Sequence, residues 1–250
     1  MPFTFSHPAA VFPLSYFPPQ WRSMTGLIIG SMAPDFEKFM RMRAYDNYSH
    51  TWESIFYFNI PLSILLSFIF HLLVRNTLID NLPHFLQERL VSYKDFDWVS
   101  YFKKHYLIII LSIVLGTLSH ILWDAFTHND GRFVKWIPFL KNRISFGSFK
   151  MSVYDFLQNI TSIIGALVVV YALLKLPRQK VAEQVNGKLK YWIVLTMVAF
   201  IIVVFRYIFG YHLRYLTNLV VTVIGAGMVS LILTSLFIGK TITYKGTVHH

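Results

Sequence analysis

The chain has 250 residues, of which 55% are hydrophobic and only 14% are charged, and its mean hydropathy is +0.50. These values exclude an ordinary soluble domain and predict an all-α polytopic membrane protein. Cysteine is absent, which excludes disulfides and thiolate metal ligands. The net charge of +11 does not indicate nucleic acid, because the basic residues flank apolar runs. We therefore expect the lipid bilayer, and no nucleic acid, as a partner.

A short apolar stretch, MTGLIIGSMA, occupies residues 24–33. A membrane-spanning helix needs about 20 apolar residues, so this stretch predicts a short buried or re-entrant helix instead. Gly26 and Gly30 are four residues apart and form a face that another helix can approach closely. Pro34 disfavours a helical Ala33, so the helix should end there and present Asp35 at its tip.

Five later stretches are long and apolar enough to cross a membrane. They are residues 55–74, 105–127, 152–174, 191–210 and 218–239. Long structureless linkers are absent, so the sequence predicts one integral membrane domain over residues 1–250. Its parts are an N-terminal metal-site segment (1–54), the first three spans (55–174) and the last two spans (191–239).

Five spans place the N-terminal region and the loop 128–151 on the same side of the membrane. The loops 75–104 and 175–190 then lie on the opposite side. Lysine and arginine are divided almost equally between the two sides. The positive-inside rule therefore does not set the orientation.

The end of the second span, HILWDAFTH, carries His120, Asp124 and His128 at a spacing of four residues. In a helix these positions fall within an arc of about 80° and line one face. Ionisable residues inside a membrane are costly and indicate function. Imidazole and carboxylate groups together suit zinc, manganese or iron. The alternative is that the histidines lie at the interface and Asp124 pairs with a basic residue.

Further candidate ligands precede the first span, on the side to which the second span returns. They are His7 in FSHP, Asp35 in APDFE and His50 in SHT. Glu37, also in APDFE, is the candidate general base or bridging ligand. Each residue has a simpler interpretation, since His7 could be a surface residue and Asp35 or His50 could start a helix. Our prediction is a divalent metal, zinc first and manganese or iron as alternatives, bound by His7, Asp35, His50, His120, Asp124 and His128.

The motifs PFTFSHPAAVFPL, GLIIGSMAPDFEKF, SHT and SHILWDAFTH resemble an uncharacterised family of small bacterial membrane proteins, a domain of unknown function. The order His, Pro-Asp-x-acid, Ser-His-Thr, His-x3-Asp is more distantly similar to membrane-bound metal-dependent hydrolases and to zinc-dependent phospholipase C-like proteins. This resemblance implies metal chemistry in a bacterial cell membrane. The chain offers fewer ligands than the phospholipase C pattern, which argues against three metals and phospholipase activity.

These observations predict a metal-dependent hydrolase at the membrane interface, acting on a phosphoester or a lipid-linked substrate. One alternative is a non-enzymatic membrane protein that binds or moves a divalent metal. Such a carrier should have polar residues deep in several spans, whereas YWIVLTMVAFIIVVF and LVVTVIGAGMVSLIL offer almost none. The other alternative is a structural membrane protein whose polar cluster orders helices, which predicts no bound metal and full tolerance of Asp124→Asn.

Overall fold

The computed structural model describes residues 3–147, 149–181, 188–210 and 215–242. Within these ranges the chain is almost entirely helical, and five helices are long and apolar enough to cross a membrane. The predicted class, an all-α polytopic membrane protein, is confirmed. The five spans are Ile55–Asn81, Trp98–Trp136, Val153–Lys175, Lys188–Phe209 and Leu216–Ile238.

Two of the spans contain breaks in regular α-helix. In the first span, π-helical turns at Ile55–Asn59 and Phe70–Val74 alternate with α-helix at Ile60–Ile69 and Arg75–Asn81. The second span consists of the helix Trp98–Thr127 and, after a turn, a short helix. That short helix is Arg132–Trp136. The last α-helix continues beyond the apolar window and covers Leu216–Ile242.

Short helices make up most of the chain outside the spans. The α-helices among them are Pro8–Val11, Met24–Met32, Phe36–Arg41 and His84–Leu90. The 3-10 helices are Thr4–Ser6, Phe12–Tyr16, Pro19–Trp21, Ala33–Asp35, Val91–Tyr93 and Pro138–Lys141.

A β-hairpin lies between the second and third spans, where the sequence indicated only a loop. Its strands, Arg143–Phe146 and Phe149–Ser152, are antiparallel, with Ile144 paired to Met151. A small hydrophobic core of Val134, Leu140 and Val153 lies beside the hairpin. Too few residues alternate in polarity here for the sequence alone to separate two four-residue strands from a loop.

The contacts within the chain define two compact units. The first comprises Met1–Asp35, Asn47–Ile64 and Phe102–Leu173, and it contains all six predicted metal ligands. The second comprises Phe36–Asp46, Leu65–Tyr101 and Leu174–His250, and it contains Glu37.

In the first unit the short helix Met24–Met32 packs against the second span through glycines. The helix begins at the predicted position, where Ser23 Oγ accepts a hydrogen bond from Gly26 N, and it ends two residues before Pro34. A Cβ atom at Gly30 would lie 2.5 Å from the carbonyl oxygen of Ile113. A Cβ at Gly116 would lie 2.4 Å from the carbonyl oxygen of Leu27. Backbone therefore meets backbone here, as the Gly26–Gly30 spacing predicted.

The N-terminal residues of the first unit pack against the third span. Ser6 Oγ donates to the carbonyl of Ser162 (2.7 Å), and Phe3 N donates to Ser162 Oγ (3.1 Å). Gly165 lets this segment approach, because a Cβ there would lie 2.8 Å from Ser6 Cβ. These contacts hold the segment that carries His7.

In the second unit a buried arginine in the first span organises the polypeptide that follows it. Arg75 donates to the carbonyls of Lys94 and Phe96, both at 2.8 Å. His71 is buried and stacked on Trp98 with ring centroids 4.6 Å apart. Arg75 therefore uses its hydrogen bonds to hold the polypeptide after the first span, and His71 packs on Trp98 beside it.

Candidate metal centre

The centre begins with one turn of the second span. His120 Nε2 lies 3.3 Å from Asp124 Oδ2, as the spacing of four residues requires. His120 is completely buried and Asp124 is nearly so. A carboxylate in such surroundings needs compensating partners, so the neighbouring groups decide what this turn can do.

The backbone of the short helix sets the protonation pattern of His120. His120 Nδ1 lies 2.7 Å from the carbonyl oxygen of Ser31. A carbonyl only accepts, so Nδ1 carries the proton and donates. In a neutral imidazole the other nitrogen, Nε2, then has a free lone pair. The lone pair on Nε2 points toward Asp124 and His50. This tautomer, with the proton on Nδ1, is the one that lets Nε2 bind a metal.

His50 approaches His120 from the segment before the first span. The two Nε2 atoms are 3.2 Å apart, and His50 Nε2 is also 3.5 Å from Asp124 Oδ2. His50 Nδ1 lies 3.0 Å from Ser49 Oγ. Without a metal, His50 Nε2–H donates to the lone pair of His120. A divalent cation would take the position of that shared proton and gain both nitrogens as ligands.

Asp35 and His7 close the buried side of the centre. Asp35 Oδ1 is 3.6 Å from His50 Nε2, and Asp35 Oδ2 accepts a 2.6 Å hydrogen bond from Thr4 Oγ1. His7 stacks on His120 with ring centroids 3.8 Å apart, and its Nε2 lies 3.8 Å from Asp124 Oδ1. Thr4 thus orients one carboxylate oxygen and leaves the other toward the histidines.

Two buried atoms of the centre, His7 Nε2 and Asp124 Oδ1, have no hydrogen-bond partner in the described part of the chain. Buried polar atoms are nearly always satisfied, so each such exception requires a physical explanation. A cation that accepts lone pairs from both atoms would satisfy them together. The two orphaned atoms therefore fit a bound metal ion.

The spacing of the donors fits a single metal ion. Donor atoms form two groups, His7–Asp35–His120 and His50–His120–Asp124, each within 4.8 Å. With metal–ligand bonds of about 2.0–2.2 Å, neighbouring donors of a four- to six-coordinate ion lie roughly 2.9–3.5 Å apart. Some donor pairs, such as His50 Nε2–His120 Nε2 at 3.2 Å and His7 Nε2–Asp124 Oδ1 at 3.8 Å, lie within a few tenths of an ångström of this range. The two groups share His120, so an ion bound there would be within reach of ligands from both.

Burial keeps His7 in the form that can coordinate. Loss of solvent, and to a smaller extent the neighbouring His120, lowers the pKa of His7 to about 3. The carboxylates of Asp124 and Asp35 oppose this shift without cancelling it. His7 is therefore neutral at physiological pH, and neutral imidazole is the form that binds metals.

Access to the centre differs between its two sides. His7, Asp35 and His120 are buried. The side chains of His50 and His128 are 21% and 26% exposed, and that of Asp124 is 12% exposed. The accessible side of the centre is therefore the one that carries His50 and Asp124, beside His128.

His128 lies beside the centre and belongs to neither donor group. Its Nδ1 is 3.2 Å from the backbone carbonyl of Asp124 and 3.6 Å from Asp124 Oδ1. A proton on Nδ1 that is donated to this carbonyl removes that nitrogen as a ligand. The helix ends at Thr127, so the His128 ring folds back along the last turn.

Glu37 belongs to the second unit, whereas the two donor groups lie in the first. Its Oε1 is 3.0 Å from Arg41 Nε, one turn later in the helix Phe36–Arg41, and the residue is buried. Its assignment as general base or bridging ligand stays a prediction.

Two contributors to the centre could not be found from the sequence. Thr4 and Ser31 act through a hydroxyl and a backbone carbonyl, and neither group marks a metal site by its residue type. The only feature of the sequence that connects Thr4 and Ser31 to the centre is their closeness to candidate ligands. Thr4 is three residues before His7, and Ser31 is four residues before Asp35.

The fold and the centre together define a polytopic membrane protein with a buried His/Asp cluster suited to a metal ion. The chain belongs to the family described as Domain of unknown function (DUF4184), whose model matches residues 1–236. This agrees with the resemblance to an uncharacterised family. Neither the curated proteins nor the solved structures contain a match.

Proposed function

We propose that this protein is a metal-dependent hydrolase of the bacterial cell membrane, acting at the interface on a phosphoester or lipid-linked substrate. The observation that supports the proposal most strongly is that three imidazoles and two carboxylates form two groups of possible ligands that share His120, with His7 Nε2 and Asp124 Oδ1 otherwise unsatisfied. The bacterial membrane and the hydrolase class rest on the sequence resemblance.

Zinc is the first candidate for the ion. Three neutral imidazoles and two carboxylates match its preference for nitrogen and oxygen ligands, and no cysteine is present to favour a softer metal. Manganese and iron accept the same donor types and are the alternatives.

A bound divalent ion would supply Lewis acidity, which makes a water nucleophilic at neutral pH and polarises a phosphoryl or acyl oxygen. The protein's own residues bind the ion and leave one side of it accessible to substrate. His7, Asp35 and His120 hold the buried side, with Thr4 and the carbonyl of Ser31 fixing two of them. His50 and Asp124 face the accessible side, where substrate and water enter.

The deciding experiment is metal analysis of the detergent-purified protein after metal-replete expression. Wild type should carry about one equivalent of metal, and His120→Ala should carry almost none, because His120 belongs to both donor groups. His84→Ala is the matched control, since His84 is a half-exposed histidine of the second unit that pairs with Glu88. A wild-type protein without stoichiometric metal refutes the proposal.

Turnover separates the hydrolase from the alternatives once metal is present. Phosphodiesters and phospholipids are offered to the metal-loaded protein, and His120→Ala should lose all activity. Glu37→Gln should keep the metal and lose turnover if Glu37 is the general base. Stoichiometric metal without turnover on any substrate would favour a protein that binds or moves metal.

A further inference from the structure

His50 of the centre and His128 beside it are both partly exposed, and each is followed closely in the sequence by a large exposed side chain. Trp52 lies two residues after His50, and Arg132 lies four residues after His128. The turn before Arg132 is tight, because Gly131 N donates to the carbonyl of His128 at 2.9 Å. A Cβ at Gly131 would lie 2.4 Å from a backbone carbonyl of the same helix end, so only glycine fits. Arg132 is therefore held near the end of the helix that carries the centre.

Trp52 and Arg132 contact each other. The guanidinium carbon of Arg132 lies 5.5 Å from the centroid of the Trp52 ring, within the range of a cation–π interaction. This contact joins the segment that carries His50 to the one that carries His128. In the described part of the chain Arg132 has no hydrogen bond and no carboxylate partner. A guanidinium that contacts a ring keeps its in-plane N–H groups free to bind an oxyanion with two hydrogen bonds.

The surrounding segment strengthens the attraction for anions. Residues 131–154 contain five basic residues and no aspartate or glutamate. All five basic side chains are exposed. These are Arg132, Lys135, Lys141, Arg143 and Lys150. A surface of one charge sign next to a site concentrates ligands of the opposite sign. An uncharged ester would gain nothing from this arrangement.

We propose that Arg132, positioned by Trp52, binds the phosphoryl group of the substrate and makes this centre selective for anionic phosphoesters. The inference rests on the proposed function, because it assigns the substrate class of the same site. Arg132 is the anion-binding residue, and Trp52, two residues after His50, is a positioning residue that holds the guanidinium against its ring. A lipid headgroup and a soluble phosphoester present the same oxyanion, and the displacement experiment below distinguishes them.

The test is calorimetric titration of metal-loaded protein, in neutral detergent at fixed ionic strength, with inorganic phosphate. Arg132→Gln should weaken phosphate binding about 10- to 100-fold, since charge-assisted hydrogen bonds to a phosphate are lost. Arg132→Lys should recover part of the affinity, because it restores the charge without the planar pair of donors. Arg143→Gln removes the same charge from the same basic segment and should change the affinity less than twofold.

Displacement of the bound phosphate then separates the two sources. Short-chain phosphatidic acid and glycerol phosphate are added in separate titrations. Displacement by the lipid alone assigns a headgroup, and displacement by both assigns phosphomonoesters in general. Either result supports the inference, whereas displacement by neither overturns it.

Metal content, measured in every variant, keeps this inference separate from the proposed function. Unchanged metal with unchanged phosphate affinity in Arg132→Gln overturns the role of Arg132 and leaves the metal centre intact. Equal losses of phosphate affinity in Arg132→Gln and Arg143→Gln also overturn the role of Arg132, because they indicate a diffuse effect of the positive charge. Absence of metal in wild type refutes the proposed function itself.

Discussion

Replacing Thr4 with valine removes one hydrogen bond from the centre and almost no volume. Thr4 Oγ1 donates to Asp35 Oδ2 at 2.6 Å, and both residues are buried. The bond leaves the other oxygen, Asp35 Oδ1, directed toward His50, 3.6 Å from its Nε2. Without the hydroxyl, the carboxylate loses the hydrogen bond that holds Asp35 Oδ2 and can rotate more freely. Metal binding then has to reorder a ligand that wild type holds in place.

The size of the effect follows from the kind of bond that is lost. A hydrogen bond to a charged group contributes about 1.5–3 kcal/mol, and removing a partner that orients a metal ligand typically costs about 10- to 100-fold in affinity. Each tenfold corresponds to about 1.4 kcal/mol, so the two figures agree. We expect Thr4→Val to bind zinc about 10- to 100-fold more weakly than wild type. Thr4→Ser, which keeps the hydroxyl, should stay within a few-fold of wild type.

The assay is competition for zinc between the purified protein and a chromophoric chelator in detergent, at constant pH. His120→Ala provides the baseline for a centre without its shared ligand. The reasoning is refuted if Thr4→Val matches wild type while His120→Ala loses binding. Thr4 would then have no part in orienting Asp35. Similar losses of zinc affinity in Thr4→Val and Thr4→Ser would refute the special role of the hydroxyl, since Thr4→Ser keeps it, and would assign the loss to the packing of the segment.

Three further predictions concern the centre and the packing that forms it. Asp124→Asn should reduce bound metal to well below one equivalent in elemental analysis, because the amide loses the negative charge next to three histidines; full metal content would show that the Asp124 carboxylate is not needed to bind the metal. Gly30→Ala should lower the unfolding temperature in detergent, since its Cβ would lie 2.5 Å from the Ile113 carbonyl and overpacking costs about 1–3 kcal/mol. Gly227→Ala, which meets nothing within 4 Å, is the control and should be neutral or stabilising. Free zinc at about 100 times its dissociation constant should raise the unfolding temperature by roughly 5–10 °C, and the rise should vanish with a chelator and in His120→Ala.

Hydropathy and spacing were enough to predict much of this protein. The five spans and the short helix 24–33 follow from runs of apolar residues, and a helix forms or fails over a few local turns. The alignment of His120 with Asp124 follows from the helical repeat alone. The hairpin at Arg143–Ser152 was missed, because its strands are short and their stability depends on the core beside them.

The amino-acid sequence by itself determined the membrane class, the helix stripe at residues 120–124 and the types of ligand available. Only the tertiary structure decided which of those ligands meet. His7 and Asp35 join His120 because glycines let helix backbones touch, and His128 turns instead toward the carbonyl of Asp124. The protonation pattern of His120 depends on a carbonyl 89 residues away, and the orientation of the Asp35 carboxylate depends on a hydroxyl 31 residues away. Periodicity within one helix carries no information about such distant partners, since packing between helices sets them.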